Sequence, residues 1–149
     1  MKGIIQLSLF AAILLFQACS LNECGECFTP PSPFFFEIVD KHSGENLFTN
    51  GTFLAEEIVV LNNENNSTEE FSFISENSLN IIQIHSIGWQ TEEVTLSVQV
   101  ADSSIFLLYV DAKRISEDCC TYTKYNEIRI ENTDYELDME TEIYSILID

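Results

Sequence analysis

The chain has 149 residues, with 25 Asp and Glu against six Lys and Arg, a net charge of −19. That balance excludes binding to nucleic acid or to an anionic membrane by charge, because phosphate contacts are made by Lys and Arg. A hydrophobic content of 46% with eleven Phe excludes a disordered acidic polymer and points to one domain with a core of its own.

The chain opens with Lys2, an uncharged run from Gly3 to Phe16, and then Leu15-Phe16-Gln17-Ala18-Cys19. The apolar run is shorter than the roughly 20 residues a membrane span needs. A basic start, a short apolar centre and a small residue before Cys form the pattern of a secretory signal. Leu15, Ala18 and Cys19 resemble the bacterial lipobox. The resemblance implies a signal peptide over 1–18, cleavage before Cys19, and lipid on the sulfur and new amino group of Cys19. The protein would then be held to a membrane through that lipid. Removal of 1–18 takes Lys2 with it, leaving 131 residues and a balance of −20. Ser20 after the lipidated cysteine is not an inner-membrane retention signal in the usual sorting logic. An outer-membrane lipoprotein is therefore expected, facing the periplasm or the cell surface.

Residues 19–33 read as a tether, since Pro30, Pro31 and Pro33 stiffen an extended segment and block a helix. The domain is expected over 34–149. Phe34 to Val39 is aromatic and β-branched, as a half-buried strand requires. Asp40 to Asn46 is a turn cluster, and Asn50-Gly51 is a tight-turn dipeptide. Strands follow at Glu57 to Leu61, Phe71 to Phe73 and Ile81 to Ile84. Val94, Leu96, Val98 and Val100 alternate with Thr95, Ser97 and Gln99, a period of two. Ile105 to Asp111 is apolar on both parities, as a central strand would be. Asn132-Thr133 reads as a two-residue hairpin loop that sets Ile130 opposite Tyr135 and Arg129 opposite Glu136. It also opposes Glu131 to Asp134 and Glu127 to Asp138, which disfavours it. Asp134, Glu136, Asp138, Glu140 and Glu142 would share an outer face, with Tyr135, Leu137, Met139 and Ile143 inward. The expected fold is a single antiparallel β-sandwich of about seven to nine strands.

Four cysteines remain beside Cys19: Cys24, Cys27, Cys119 and Cys120. Structural disulfides are expected in an oxidising envelope, with Cys24 and Cys27 each reaching one of the adjacent pair and the connectivity open. Adjacent cysteines on a strand point to opposite faces and bond each other poorly. The rivals are a Cys24-Gly25-Glu26-Cys27 redox pair, which lacks a following helix, and a four-cysteine zinc site with poor spacing. Acids two apart on a strand lie roughly 7 Å from each other, too far to share one Ca2+ directly. His42 in a turn, His85 in a strand, and Glu56-Glu57, Glu69-Glu70 and Glu92-Glu93 form no recognisable catalytic motif. Trp89 reads as core, with sugar stacking as the alternative. No catalytic, cofactor or metal residue is assigned.

Phe36-Glu37-Ile38-Val39-Asp40-Lys41-His42-Ser43-Gly44-Glu45-Asn46-Leu47 resembles the opening hairpin of prealbumin-like domains, which include transthyretin-like and carboxypeptidase regulatory-like modules. Cys27-Phe28-Thr29-Pro30-Pro31, Gly44 to Phe48, Ile87-Gly88-Trp89 and Cys119-Cys120-Thr121 are similar to features of uncharacterised bacterial envelope lipoproteins. The resemblance implies location and a prealbumin-like or immunoglobulin-like fold, and no activity. The expected role is a non-enzymatic envelope module that meets an envelope protein, with no cofactor. The alternative is a binding module for a small ligand, Ca2+ or a glycan.

Overall fold

The computed structural model of the protein describes residues 27–149, so Cys19, Cys24 and most of the signal and tether expectations lie outside the described residues. The described chain is all-β. In order it forms β1 (Cys27–Phe28), β2 (Phe34–Asp40), β3 (Ile58–Asn62), β4 (Phe71–Ile74), β5 (Ile81–Ile84), β6 (Glu92–Val100), β7 (Ser103–Glu117), β8 (Cys120–Glu131), β9 (Asp134–Asp138) and β10 (Ile143–Ile148). Two single 3-10 turns, Ala55–Glu57 and Glu76–Ser78, precede β3 and β5. No helix among the described residues is long and apolar enough to cross a membrane.

The strands form two five-stranded sheets, β1-β8-β7-β6-β3 and β4-β5-β2-β10-β9. Two features correct the sequence expectation. Ten strands are present among the described residues, and both sheets are mixed, because β1 runs parallel to β8 and β2 parallel to β10. Parallel neighbours need long connections between them. Here nearly the whole domain is the connection, so no local pattern announces either pairing. The first strand also falls inside the segment read as tether.

Alternation on β6 and the two-parity run on β7 take the forms their patterns predict. Val94, Leu96, Val98 and Val100 are buried, and β7 is the middle strand of its sheet. A bulge opposite Val98 and Gln99 lets adjacent Ile105 and Phe106 both face inward. Inner side chains of both sheets meet in one core. Phe36 and Phe106, from opposite sheets, have ring centroids 4.9 Å apart and are fully buried. Ile38, Ile82, Ile84 and Ile146 from one sheet and Val60, Leu96, Leu108 and Val110 from the other surround them. On the outer face, Ser145 Oγ donates to Glu37 Oε1 at 2.6 Å across the parallel β2–β10 pair.

The hairpin expected at Asn132-Thr133 does not form. Instead β8 ends in one sheet, Asn132 turns with φ of 71°, and β9 joins the other sheet beside β10. The like-charge pairs of the expected register are thereby avoided. Arg129 holds Glu127 and Glu131 of its own strand at 2.8 and 3.1 Å. Glu140 and Glu142 sit in the β9–β10 turn, so of the five acids only Asp134, Glu136 and Asp138 share a strand face. Tyr135, Leu137 and Met139, expected inward, are 44%, 39% and 81% exposed on this edge of the sheet. A second correction concerns Cys119. The β7–β8 connection is the two-residue turn Asp118-Cys119, both with positive φ as a type I′ turn requires, so only Cys120 is on a strand.

Phe106→Ala removes the central ring of the core and is expected to destabilise the domain by about 3–5 kcal/mol. The shift of the urea midpoint at unchanged slope measures it.

Candidate functional site

The N-terminal end of the described chain is built around one covalent bond. Cys27 and Cys120 are disulfide-bonded, with 93 positions between them in sequence and their Cα atoms 4.5 Å apart. Parallel pairing of Cys27 with Cys120 and Phe28 with Thr121 extends from it, and Thr29 N donates to Thr121 O at 2.8 Å. The bond takes Cys27 out of both the redox pair and the four-cysteine zinc site. Cys119 is also disulfide-bonded.

This link lays Phe28 beside the loop between β5 and β6. Phe28 stacks on Trp89, with centroids 6.2 Å apart and planes 24° from parallel. Trp89 is 53% exposed and Phe28 58%, so the expectation of a core tryptophan is corrected. The Trp89 indole N–H is spent internally on the carbonyl of His85 at 2.9 Å. What faces outward is therefore apolar ring surface. Behind Phe28, the Arg114 guanidinium carbon lies 4.7 Å from the ring centroid, a cation–π arrangement. Arg114 Nη1 donates to Thr123 Oγ1 at 2.7 Å, and Thr123 Oγ1 donates to the Gly88 carbonyl at 2.6 Å. Nη2 of Arg114 is buried without a hydrogen-bond partner among the described residues, which leaves the Phe28 face to offset its desolvation.

The loop needs glycine at position 88. Its φ is +92°, and a Cβ there would lie 2.9 Å from Thr123 Cγ2, 3.1 Å from the Tyr125 hydroxyl and 3.2 Å from Pro31 Cβ. Gly88 N donates to Glu92 Oε1 at 2.6 Å, which closes the turn. Three of the segments behind the envelope-lipoprotein resemblance thus meet here: Cys27 to Pro31, Ile87 to Trp89, and Cys119 to Thr121. The fourth, Gly44 to Phe48, lies apart in the turn after β2. There Val39 bridges Asn46, and Asp40 Oδ1 accepts from the backbone N–H groups of His42 and Ser43. Those bonds hold the Asp40 carboxyl below the usual aspartate range.

Tyr125 joins this N-terminal segment to a second feature. Its hydroxyl donates to the Ser32 carbonyl at 2.8 Å, and its ring meets Phe34 edge-on at 5.1 Å. On its far side is a groove of about 260 Å³ along the flank where the two sheets part. Phe34, Ile128, Leu137, Met139 and Tyr144 line it, with Asp138 and Glu142 at its rim. Burial, then the charge of Glu92, pushes the Tyr125 hydroxyl above the ordinary tyrosine value, against the opposing pull of Arg114. Burial, then Tyr135 and Glu142, does the same for Tyr144.

The other sequence candidates are dispersed. His42 and His85 are exposed and far apart in the fold. Glu92 holds Gly88, while Glu93 accepts from the Tyr109 hydroxyl at 3.4 Å. Asp134 is bound to Lys41 at 2.8 Å, which lowers its carboxyl, and Asp138 accepts from the N–H of Glu140. Among the described residues no three His, Cys, Asp or Glu are grouped to hold a metal ion. Sequence reasoning missed Phe28 and Arg114. Phe28 is one of eleven Phe, and only its position beside Cys27 singles it out. No family model, curated protein or solved structure matches the chain.

Gly88→Ala places a methyl against three neighbours in a left-handed backbone, and a loss of about 1–3 kcal/mol is expected in urea unfolding. The raised tyrosines carry a pH signature. A raised folded value contributes stability that is whole below the unfolded value and is lost as pH rises through the folded one. The thermal midpoint should hold up to about pH 10 and fall above it. Tyr125→Phe should make that alkaline fall shallower, read by melting curves across the alkaline range.

Proposed function

We propose that the protein is a non-enzymatic, lipid-anchored component of a bacterial cell envelope, held by lipid on Cys19 at the outer membrane. In this reading the domain is a β-sandwich of prealbumin-like or immunoglobulin-like kind, and it serves as an interaction or structural module for an envelope protein. The observation that carries the reading is the Cys27–Cys120 bond. It joins the segment that follows the lipobox-like Leu15–Cys19 to an edge of the folded body, eight residues beyond the acceptor cysteine. Closing a loop of this length contributes up to roughly 4–5 kcal/mol in the chain-entropy account, and such a bond persists in an oxidising compartment. An acidic surface suits a protein that reaches a membrane through acyl chains rather than through charge.

A second reading rests on the flank groove. Its apolar wall and acidic rim favour a small apolar ligand, preferably one with a cationic group, over Ca2+ or a glycan. Saturable uptake of an apolar fluorescent probe that is lost in Ile128→Lys would support it.

Radiolabelled palmitate should enter the protein in intact cells and should be absent from Cys19→Ser. Peptide mass analysis should find the mature chain starting at a modified Cys19. An unlabelled wild-type protein beginning elsewhere removes the anchor.

A further inference from the structure

We infer that the Phe28–Trp89 patch seats the domain on the bilayer that holds its own lipid. The inference rests on the proposed anchoring at Cys19. Only eight residue steps separate Cys19 from Cys27, and a fully extended chain covers about 26–29 Å over them. The disulfide fixes Cys27 to the sheet edge, so the tether's length ends there and does not continue into the slack of residues 28–33. Phe28 directly follows the fixed Cys27 and is exposed, with Trp89 stacked on it.

The chemistry of the patch fits the headgroup boundary. Trp and other aromatics favour that layer, where broad apolar ring surface is accommodated without crossing the hydrocarbon. The Trp89 N–H is already bonded to His85 O, so its immersion leaves no donor unsatisfied. Lys113, Arg114 and Lys124 stand at this end beside Glu92, Glu117 and Asp118, and Asp138 and Glu142 line the adjoining groove. The charge here is mixed, so the seating rests on the exposed rings and the short connection to Cys19.

Trp89 is the single tryptophan of the chain and reports directly on its surroundings. The acylated protein is purified from cells, its Cys19 modification verified by mass, and reconstituted into phosphatidylcholine vesicles with either plain or upper-chain-brominated lipids. Emission in plain vesicles is expected to shift to the blue relative to a soluble Cys19→Ser variant that also lacks residues 1–18, and brominated lipid should quench it. Acrylamide should quench it less than in that variant. If Cys19 carries lipid but Trp89 keeps the emission and acrylamide access of the soluble variant, the seating is overturned and the anchor stands. That outcome also follows if the patch is kept for a protein partner. If Cys19 carries no lipid, both readings fall together.

Discussion

A single covalent constraint organises one end of this molecule. Cys27 and Cys120 are far apart in the chain, yet their bond brings the N-terminal segment into register beside β8. Two residues of parallel strand would not hold alone, because so few backbone hydrogen bonds cannot offset the entropy of ordering the segment. With the bond in place Phe28 is delivered over Arg114 and against Trp89. The guanidinium then has an aromatic face above it and Thr123 beside it, and Thr123 in turn fixes the Gly88 carbonyl. Without the stitch, Arg114 loses the cation–π contact that offsets the desolvation of its guanidinium.

The same end shows why a glycine and a tryptophan stand side by side. Gly88 lets the loop pass under Pro31, Thr123 and Tyr125 with no side chain in the way. Trp89, the next residue, is exposed. Its ring lies on the surface with its polar atom turned inward. An exposed aromatic pair whose hydrogen-bonding needs are met internally is suited to an apolar environment more than to a sugar, which asks for exposed polar groups beside the ring.

The two sheets part along a flank because the chain changes sheets there. At Asn132-Thr133 it leaves β8 and begins β9 on the opposite layer. A hairpin at that point would have set acid against acid at two positions. The crossing relieves both clashes, and it leaves Tyr135, Leu137 and Met139 on an open edge. The groove bounded by Tyr125, Ile128 and Tyr144 is the space this crossing leaves.

Strand existence was legible in the sequence wherever a local rule sufficed. Alternation specified β6, the two-parity run specified a central β7, and Asp40 to Asn46 specified a turn whose carboxylate caps its own backbone. The cysteines announced that the N-terminal segment would be tied back to the body. What the sequence could not settle was every choice between remote partners. Whether β9 joins β8 or β10, whether the first and last long strands lie side by side, and whether Trp89 is covered or bare all depend on which surfaces meet after collapse. Periodicity records which face of a strand is apolar and nothing about its neighbour. Those neighbours were decided by tertiary packing and by one disulfide drawing Phe28 onto a face that local pattern could not foresee.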